Sequence, residues 1–279
     1  MTGNNPLRQF FRIPKLYVSL PSGTSYYDNT VVEFTDDGEL GILPMTATDE
    51  MTIKNPDSLL NGEAIIDIIK SCVPSVKNPR KLLSNDIDKL LVAIRHASYG
   101  DNLEISANCP DCSHENTFEL NISQTMNTDE NLEAEYFITT AENLTIYVKP
   151  FTFNEVISSL KTQFEQYQAA QRISDEKLSD EQRLKLFSES AKKITTSTVN
   201  LLSKCVYKIA TPDVEVTQES HIKEFILNTD KTTFNKIDQQ LKTINSIGIR
   251  KEFKAKCSNC GHEWESPIDF NPVSFFTNS

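Results

Sequence analysis

The sequence contains little of what an active site is built from. Only 8 of its 279 residues are glycine and only 4 are histidine. No glycine-rich phosphate loop, no Gly-x-Ser-x-Gly elbow and no His-Glu-x-x-His motif occurs. The acidic residues follow helix-surface spacing instead of clustering beside a partner. Loops that could cradle a ligand are therefore scarce, and the sequence predicts a protein that is not an enzyme.

Long apolar runs are also missing. No stretch approaches the ~18 consecutive apolar residues of a membrane-spanning helix. The first 20 residues, "MTGNNPLRQFFRIPKLYVSL", lack the apolar run of a secretory signal. We therefore expect a soluble protein made in a reducing cytoplasm, where disulfides are rare.

Positive charge is in short supply. The chain holds 28 basic and 39 acidic residues, a formal net charge of −11. An acidic surface repels phosphate backbones and anionic lipid head groups. We therefore expect neither nucleic acid nor a membrane as a partner, but other proteins with basic or neutral faces.

What the sequence does contain is one cysteine pattern that occurs twice. The segments "NCPDCSHENTFEL" and "KCSNCGHEWESPI" each hold a Cys-x-x-Cys pair followed two residues later by histidine. Alternating apolar residues on both sides of each pair predict a strand, a tight turn and a second strand. We call these turns the first knuckle (residues 109–114) and the second knuckle (residues 257–262). Gly261 can supply the positive φ that such a turn requires.

Two knuckles together provide four thiolates, which is the ligand set of tetrahedral structural zinc. We predict that one structural zinc ion binds the four paired cysteines, Cys109, Cys112, Cys257 and Cys260. Because 144 residues separate the two pairs, the chain must leave the first hairpin and return to it. His114 and His262 follow their pairs too closely to be needed as ligands, and we expect them to cap the turns or face solvent.

Other interpretations of the paired cysteines are open. A disulfide within each pair is disfavoured by the compartment and by the short loop. A thioredoxin-like redox motif needs a helix after the pair, and no helical pattern follows either one. A catalytic zinc needs an open coordination position, which four cysteines would close. Iron is the alternative metal, although a closed four-thiolate site in a non-redox context favours zinc.

The two isolated cysteines have a different setting. Cys72 ends "AIIDIIKSC" at helical spacing from Ile65, Ile68 and Ile69, and Cys205 lies in "NLLSKCV". Both are predicted to be small buried hydrophobic residues and not functional thiols.

The predicted fold class is α+β: mainly helical, with a small β platform of two zinc-knuckle hairpins that form a split zinc ribbon around a long helical insertion. We predict five regions along the chain. They are an extended N-terminal arm (1–30), an α+β N-terminal domain ending in the first zinc knuckle (31–122), an acidic link with a strand (123–150), the helical insertion (151–250), and the second zinc knuckle with a C-terminal tail (251–279).

Several local signals fix elements within these regions. "VVEFTDDGELGIL" predicts a β-hairpin around its Asp-Gly turn. Thr46 and Asp49 stand in capping-box positions at a helix start. Further helices are predicted to end before Pro74 and at Gly100. The segment from Ser179 to "CVYKI" predicts a helix of about 30 residues, which is long for a globular domain.

The adjacent Phe275 and Phe276 lie beyond the last hairpin, in "FNPVSFFTNS". One interpretation is that they fold back into the core of this chain. The other is that this tail, together with the N-terminal arm, anchors in a neighbouring subunit.

Beyond single motifs, a series of segments occurs in a recognisable order: "LPSGTSYYD", "LPMTATDEM", "LLNGEAIIDIIKSCV", "IRHASYGD", the two knuckles and "PIDFNPVSFF". Together they resemble the baseplate hub proteins of T-even-type contractile-tailed phages, a family of hub subunits and hub-assembly proteins. The resemblance is clearest over residues 16–121 and 250–276. It implies a structural protein of the virion tail baseplate that is assembled in the host cytoplasm.

The partners that this resemblance implies are other phage tail or baseplate hub proteins, with the tape-measure protein as a further candidate, in a symmetric assembly with several copies of the chain. Two other functions stay open. One is a chaperone-like hub-assembly factor that does not enter the particle, and the other is a cytosolic zinc-ribbon adaptor for nucleic acid, which the negative charge disfavours.

Overall fold

The computed structural model describes residues 6–54, 62–126, 130–173, 179–268 and 275–276. The chain divides into two compact units. Unit 1 comprises Met1–Pro79, Asn85–Asn131 and Gly248–Ser279, and unit 2 comprises Arg80–Ser84 and Leu132–Ile247. Helices account for 46% and strands for 20%, which agrees with the predicted mixture of α and β structure and the excess of helix.

Among its described residues, unit 1 contains a 3-10 turn (Pro6–Phe10), four α-helices and three strand pairs. Its elements are β1 (Leu16–Val18), β2 (Leu40–Ile42), α1 (Ala47–Ile53), α2 (Glu63–Cys72), α3 (Ser84–Tyr99), β3 (Asn102–Asn108), β4 (Glu115–Asn121), α4 (Ser123–Met126), β9 (Glu252–Lys256) and β10 (Glu263–Pro267). The strands form three separate two-stranded antiparallel sheets, β1–β2, β3–β4 and β9–β10.

The hairpin predicted around the Asp-Gly turn is wrong in its pairing. The turn itself forms, because Gly38 donates its N–H to Thr35 O at 2.9 Å and adopts a φ of +76°. However, β2 pairs with β1, and Val32 makes an isolated bridge to Val76. The alternating pattern around Val32 correctly indicated burial, since this residue is fully buried. The pattern does not specify the segment with which these residues pair. Residues 16–18, expected to be part of an irregular arm, form the strand β1.

The predicted helix signals of unit 1 are confirmed. At the start of α1, Thr46 Oγ1 accepts from Asp49 N at 3.2 Å and Asp49 Oδ2 accepts from Thr46 N at 2.7 Å. Helix α2 ends at Cys72, two residues before Pro74, and Cys72 is fully buried as expected. Helix α3 ends before Gly100, which has a φ of +88° and donates to His96 O at 3.0 Å. These boundaries follow from local chemistry alone.

A buried carboxyl group in α3 is a feature that the sequence did not signal. Asp86 is fully buried, and its carboxylate accepts hydrogen bonds from Ser22 N and from the Tyr27 hydroxyl. Burial raises the pKa of Asp86 to about 6, and these two hydrogen bonds only partly oppose the shift. The native state therefore binds this proton more tightly than the unfolded chain does.

This raised pKa predicts a loss of stability as the pH rises. Between pH 4 and pH 6 the folded protein holds a proton on Asp86 that the unfolded chain releases, so the free energy of unfolding should fall by about 2–3 kcal/mol over this range. The variant Asp86→Asn keeps a neutral group and should lose this decline, whereas Asp37→Asn, an exposed control, should keep it. Urea titrations at several pH values measure the difference. Equal pH slopes for all three proteins would contradict the prediction.

Unit 2 consists of a four-stranded antiparallel sheet and four helices within the described part of the chain. Its elements are β5 (Tyr136–Thr139), β6 (Thr145–Val148), α5 (Phe153–Ile173), α6 (Asp180–Cys205), β7 (Val206–Ala210), β8 (Glu215–Val216), α7 (Glu219–Asn228) and α8 (Lys231–Ser246). The sheet order is β5-β6-β7-β8. One apolar core joins β6, β7, α6, α7 and α8, and it includes Cys205, which is fully buried as expected. None of the helices that the structure describes is long and apolar enough to cross a membrane.

The helical insertion predicted for residues 151–250 contains strands that the sequence did not indicate. The long helix predicted from Ser179 ends at Cys205, and the following "VYKIA" forms β7. β7 pairs with β6 through contacts such as Ile146 opposite Ile209. β-Branched and aromatic residues suit either a helix end or a buried strand, and the pairing with β6 decided the outcome.

The tail phenylalanines fold back onto this chain. Phe275 and Phe276 are 1% and 3% exposed. Arg95, itself buried, donates from Nη1 to Phe275 O, and its guanidinium lies 5.4 Å from the ring centres of both Tyr99 and Phe275. The first interpretation of these two residues is therefore confirmed, and they do not form an exposed anchor. The sequence did not indicate that Arg95 would be buried against the tail.

Candidate metal centre

The two knuckles connect the strands of two matching hairpins in unit 1. In the first, β3 pairs with β4 out to Asn108 opposite Glu115, and in the second, β9 pairs with β10 out to Lys256 opposite Glu263. Each cysteine pair follows the end of one strand and precedes the start of the next. Strands, and not helices, flank both pairs, which is not the setting of a thioredoxin-like motif.

The backbone of the two knuckles is the same. Cys109 N donates to His114 O at 2.9 Å, and Cys257 N donates to His262 O at 2.8 Å. Within each turn, Ser113 N donates to Cys109 O and Gly261 N donates to Cys257 O, at 2.9 and 3.0 Å. The repeated sequence pattern therefore encodes a repeated local structure, as predicted.

The residue after each second cysteine adopts a left-handed conformation. Gly261 has a φ of +76°, as the sequence indicated, and Ser113 occupies the same position in the first knuckle with a φ of +58°. A side chain in this region costs roughly 1–2 kcal/mol. Nothing in the sequence indicates this strain in the first knuckle, since serine at this position suggests no positive φ.

This difference between the knuckles predicts opposite effects of two substitutions. Ser113→Gly should raise the free energy of unfolding by about 0.5–1 kcal/mol, because relief of the strain exceeds the extra chain entropy of glycine. Gly261→Ala should lower it by about 1 kcal/mol through φ alone, because an added Cβ meets nothing within 4 Å. Thermal and urea unfolding of the metal-loaded protein measure both. Changes of the same sign would refute this explanation.

The four sulfur atoms converge on one point. All four ligand atoms lie within 4.8 Å of one another. Two of the approaches join different knuckles: Cys109 Sγ to Cys260 Sγ and Cys112 Sγ to Cys257 Sγ, both 3.6 Å. A disulfide would need about 2.05 Å, and all four cysteines are free. Zinc–sulfur bonds of about 2.3 Å in a tetrahedron place the sulfurs about 3.8 Å apart, so the spacing fits a bound metal ion.

The centre is closed on one side and open on the other. Cys109 and Cys257 are buried, Cys112 is half-buried and Cys260 is exposed. The N–H groups of Cys260 and Asn259 point at the Cys257 sulfur and lower the pKa of this thiol to about 6. At Cys260 the N–H of His262 also lowers the pKa, but burial and the neighbouring thiols raise it to about 12. Four sulfurs packed this closely do not all ionise unless a cation balances them.

Asn116 on β4 connects one knuckle to the other, a role that neither its residue type nor its place in the sequence signals. This buried side chain donates from Nδ2 to His114 O at 2.9 Å in its own knuckle. Its Oδ1 accepts from Ser258 N at 2.8 Å and from Ser258 Oγ at 2.9 Å in the other knuckle. Nδ2 also lies 3.7 Å from Cys257 Sγ. A buried amide that satisfies backbone groups on both sides fixes the relative position of the two turns.

The hairpins also meet through aromatic side chains below the sulfurs. The ring of Phe118 on β4 lies 5.2 Å from that of Phe253 on β9 and 6.0 Å from that of Trp264 on β10, both edge to face. His262 stacks on Trp264 at 6.2 Å. Both knuckle histidines, His114 and His262, have exposed side chains, which agrees with the expectation that they are not ligands.

Within the described residues, fold and site define an α+β protein in which two distant cysteine hairpins close on a centre that could bind one metal ion. The chain belongs to the family of T4 bacteriophage base plate proteins, since the model of that family matches residues 19–277. No curated protein and no solved structure gives a match. Family membership confirms the resemblance seen in the sequence and supports a structural role in a phage baseplate.

Proposed function

We propose that this chain is a structural component of the phage tail baseplate hub, that it acts through protein–protein contacts, and that it is not an enzyme. The observation that carries the proposal is the convergence of four cysteines from opposite ends of a long excursion in a member of a base plate family. A closed centre of this kind holds backbone segments together and leaves no coordination position for a substrate.

Zinc is the metal that we assign to this centre. Cys109, Cys112, Cys257 and Cys260 form an all-sulfur set at tetrahedral spacing, which suits zinc in structural sites. When bound, the ion would supply free energy that holds the two hairpins together. Each hairpin has only two strands, and a lone two-stranded hairpin is marginally stable in water. The chain's own contribution is to hold the sulfurs through the knuckle hydrogen bonds and Asn116.

The location and partners follow from this role. The chain would reside in the tail baseplate of the virion after assembly in the host cytoplasm. Its partners would be other tail and baseplate hub proteins, with the tape-measure protein as a further candidate, and several copies would occur in a symmetric assembly. The excess of acidic residues, 39 against 28 basic, favours protein partners over nucleic acid.

Two measurements test the proposal, one on purified phage particles and one on the purified chain. Quantitative mass spectrometry of disrupted tails should detect the chain at a fixed number of copies per particle. Metal analysis of the purified chain should find one zinc ion per chain. A chain that is needed for infectious particles but absent from them is instead a hub-assembly factor. A site that retains iron after purification in air and shows its charge-transfer absorption would refute the zinc assignment.

A further inference from the structure

One short segment of unit 1, which we call the basic arm (residues 7–17), is held firmly in place. Arg12 donates from Nη1 to Pro44 O at 2.6 Å and from Nη2 to Ser71 O at 2.7 Å. Its guanidinium also lies 3.3 Å from Asp49 Oδ2. Farther along, Lys15 N donates to Ile42 O at 2.9 Å and β1 pairs with β2. The path of the arm is therefore ordered by its own unit before any partner binds.

Although the backbone is fixed, the large side chains of the arm point away from the unit. Phe10, Phe11 and Ile13 are 76%, 58% and 73% exposed. Tyr17 in the same arm and Met51 in α1, the helix that Arg12 contacts, are 56% and 72% exposed. Soluble proteins rarely hold so many large apolar groups in water on one ordered segment unless a partner covers them. Aromatic side chains on a preorganised backbone are typical anchors of protein interfaces.

The charge of this region is opposite to that of the rest of the chain. Residues 1–27 contain three basic residues, Arg8, Arg12 and Lys15, and no acidic residue. The remaining residues hold 25 basic and 39 acidic residues. Asp49 neutralises Arg12, so the arm presents Arg8 and Lys15 beside its exposed aromatic rings. A matching surface needs an apolar groove with carboxylates at its edge.

We infer that the basic arm docks into such a groove, apolar within and acidic at its edge, on a different protein of the baseplate. This inference rests on the proposed function and names the surface through which it is carried out. The arm provides the apolar anchors, and Arg8 with Lys15 sets the orientation by pairing with the carboxylates.

A second copy of this chain is less suited to bind the arm, because the acidic face of its β3–β4 hairpin is not apolar. On the open face of β3–β4, Glu104 lies directly opposite Glu119, and neither strand carries a basic residue. The neighbouring positions on this face are serine, threonine and asparagine. Like charges placed opposite each other favour a basic partner, but this face offers nothing to cover two phenylalanine rings.

The apolar cleft of unit 1 has an apolar lining but no acidic edge. A cleft of about 580 Å³ between β4 and β9–β10 has Leu120, Phe253 and Ile268 in its lining. Its charged residues balance each other, since Arg250 and Lys254 accompany Glu252 and Glu265. Neither of these two surfaces of unit 1 combines an apolar floor with an acidic edge, which favours another protein as the partner of the arm.

A membrane surface is also disfavoured. The helical part of the arm is a single 3-10 turn, Pro6–Phe10, which is too short for an amphipathic interfacial helix. The body that carries the arm is strongly acidic and would be repelled by anionic lipids. The lipid alternative is still an outcome that the test must distinguish.

The test uses two arm variants and two matched controls in the phage that encodes the chain. Phe10→Ser with Phe11→Ser removes the anchors, and Arg8→Glu with Lys15→Glu reverses the charge. Val214→Ser with Leu227→Ser removes two large apolar side chains on separate elements of unit 2 that are 56% and 58% exposed, and Lys185→Glu with Lys192→Glu makes the same charge change on α6. Melting temperature and metal content of each purified variant confirm that the fold is intact.

We expect both arm variants to lower the copies of the chain per particle and the infectious titre by at least about tenfold, since loss of one interface anchor commonly costs more than 1.4 kcal/mol. Both controls should stay within about twofold of the wild type. Suppressors selected on the charge-reversed arm should replace Asp or Glu in a different virion protein. If the wild-type chain is absent from particles, the hub-component proposal fails, while titre and suppressors still decide the role of the arm.

Three results would overturn the inference. Arm variants with normal titre would show that the exposed side chains have no partner. Suppressors that map to acidic residues of this same chain, together with salt-sensitive self-association of the purified protein, would assign the arm to a second copy. Flotation of the purified chain with phosphatidylglycerol-rich vesicles, lost in the arm variants, would assign it to a lipid surface.

Discussion

Replacing Cys257 by serine is expected to abolish metal binding and to separate the two hairpins of the platform. Cys257 is buried, lies 3.6 Å from Cys112 Sγ and receives the Asn116 amide at 3.7 Å. Serine removes one of four thiolates and leaves the others in an incomplete shell. Structural zinc contributes about 10–16 kcal/mol in small zinc peptides. We expect a loss of about 3–6 kcal/mol here, because the aromatic contacts of Phe118 persist in part.

Two measurements check this prediction, and a buried cysteine elsewhere provides the control. Metal analysis should give one ion per chain for the wild type and none for Cys257→Ser. Hydrogen exchange should show lost protection in β3, β4, β9 and β10 while unit 2 stays protected. Cys205→Ala removes a fully buried thiol from the core of unit 2 and should keep the metal. A Cys257→Ser protein with full metal content and unchanged melting would refute a four-cysteine centre.

Replacing Arg95 by alanine should be the second severe change. Arg95 is 1% exposed. Its guanidinium donates to the backbone carbonyl of Phe275 and lies against two aromatic rings. Burial lowers the pKa of Arg95, with Tyr99 acting in the opposite direction. Alanine leaves a cavity and removes the hydrogen bond to Phe275 O, so the free energy of unfolding should drop by about 3–5 kcal/mol. The tail at Phe275–Phe276 should then come loose.

Urea unfolding gives the size of this effect, and limited proteolysis reports the release of the tail. Arg95→Met is the matched control, since it keeps an unbranched apolar chain of similar length while removing the hydrogen bond and the charge. We expect it to lose only about 1–2 kcal/mol. If Arg95→Ala were as stable as the wild type and its tail resisted proteolysis equally well, the contact between Arg95 and Phe275 would not stabilise the fold.

The parts of the fold that sequence reasoning located correctly depend on short-range chemistry. The capping box of Thr46 and Asp49, the end of α3 at Gly100 and the positive φ of Gly261 each follow from residues a few positions apart. The repeated cysteine spacing likewise predicts two equal turns. Such features need only local geometry, and the rest of the molecule did not override them.

The errors share a different cause. β2 pairs with β1 and not with the segment around Val32, and β7 follows α6 where a continuous helix was expected. Strand pairing is a long-range choice among several apolar segments of similar pattern. The buried Asp86 and the strained Ser113 were missed because their residue types alone indicate neither burial nor a left-handed backbone.

The sequence by itself determined that four cysteines form two identical knuckles, because Cys-x-x-Cys spacing and the flanking alternation of apolar residues specify a turn locally. It also predicted that the knuckles meet, since four thiolates complete one metal site, but it did not specify the contacts that hold them together. Only the tertiary structure brought Cys109 to Cys260 and Cys112 to Cys257, placed Asn116 between the turns and buried the tail against Arg95. Those contacts join residues more than 140 positions apart, and they form only when the packing of unit 1 returns the chain to its first hairpin.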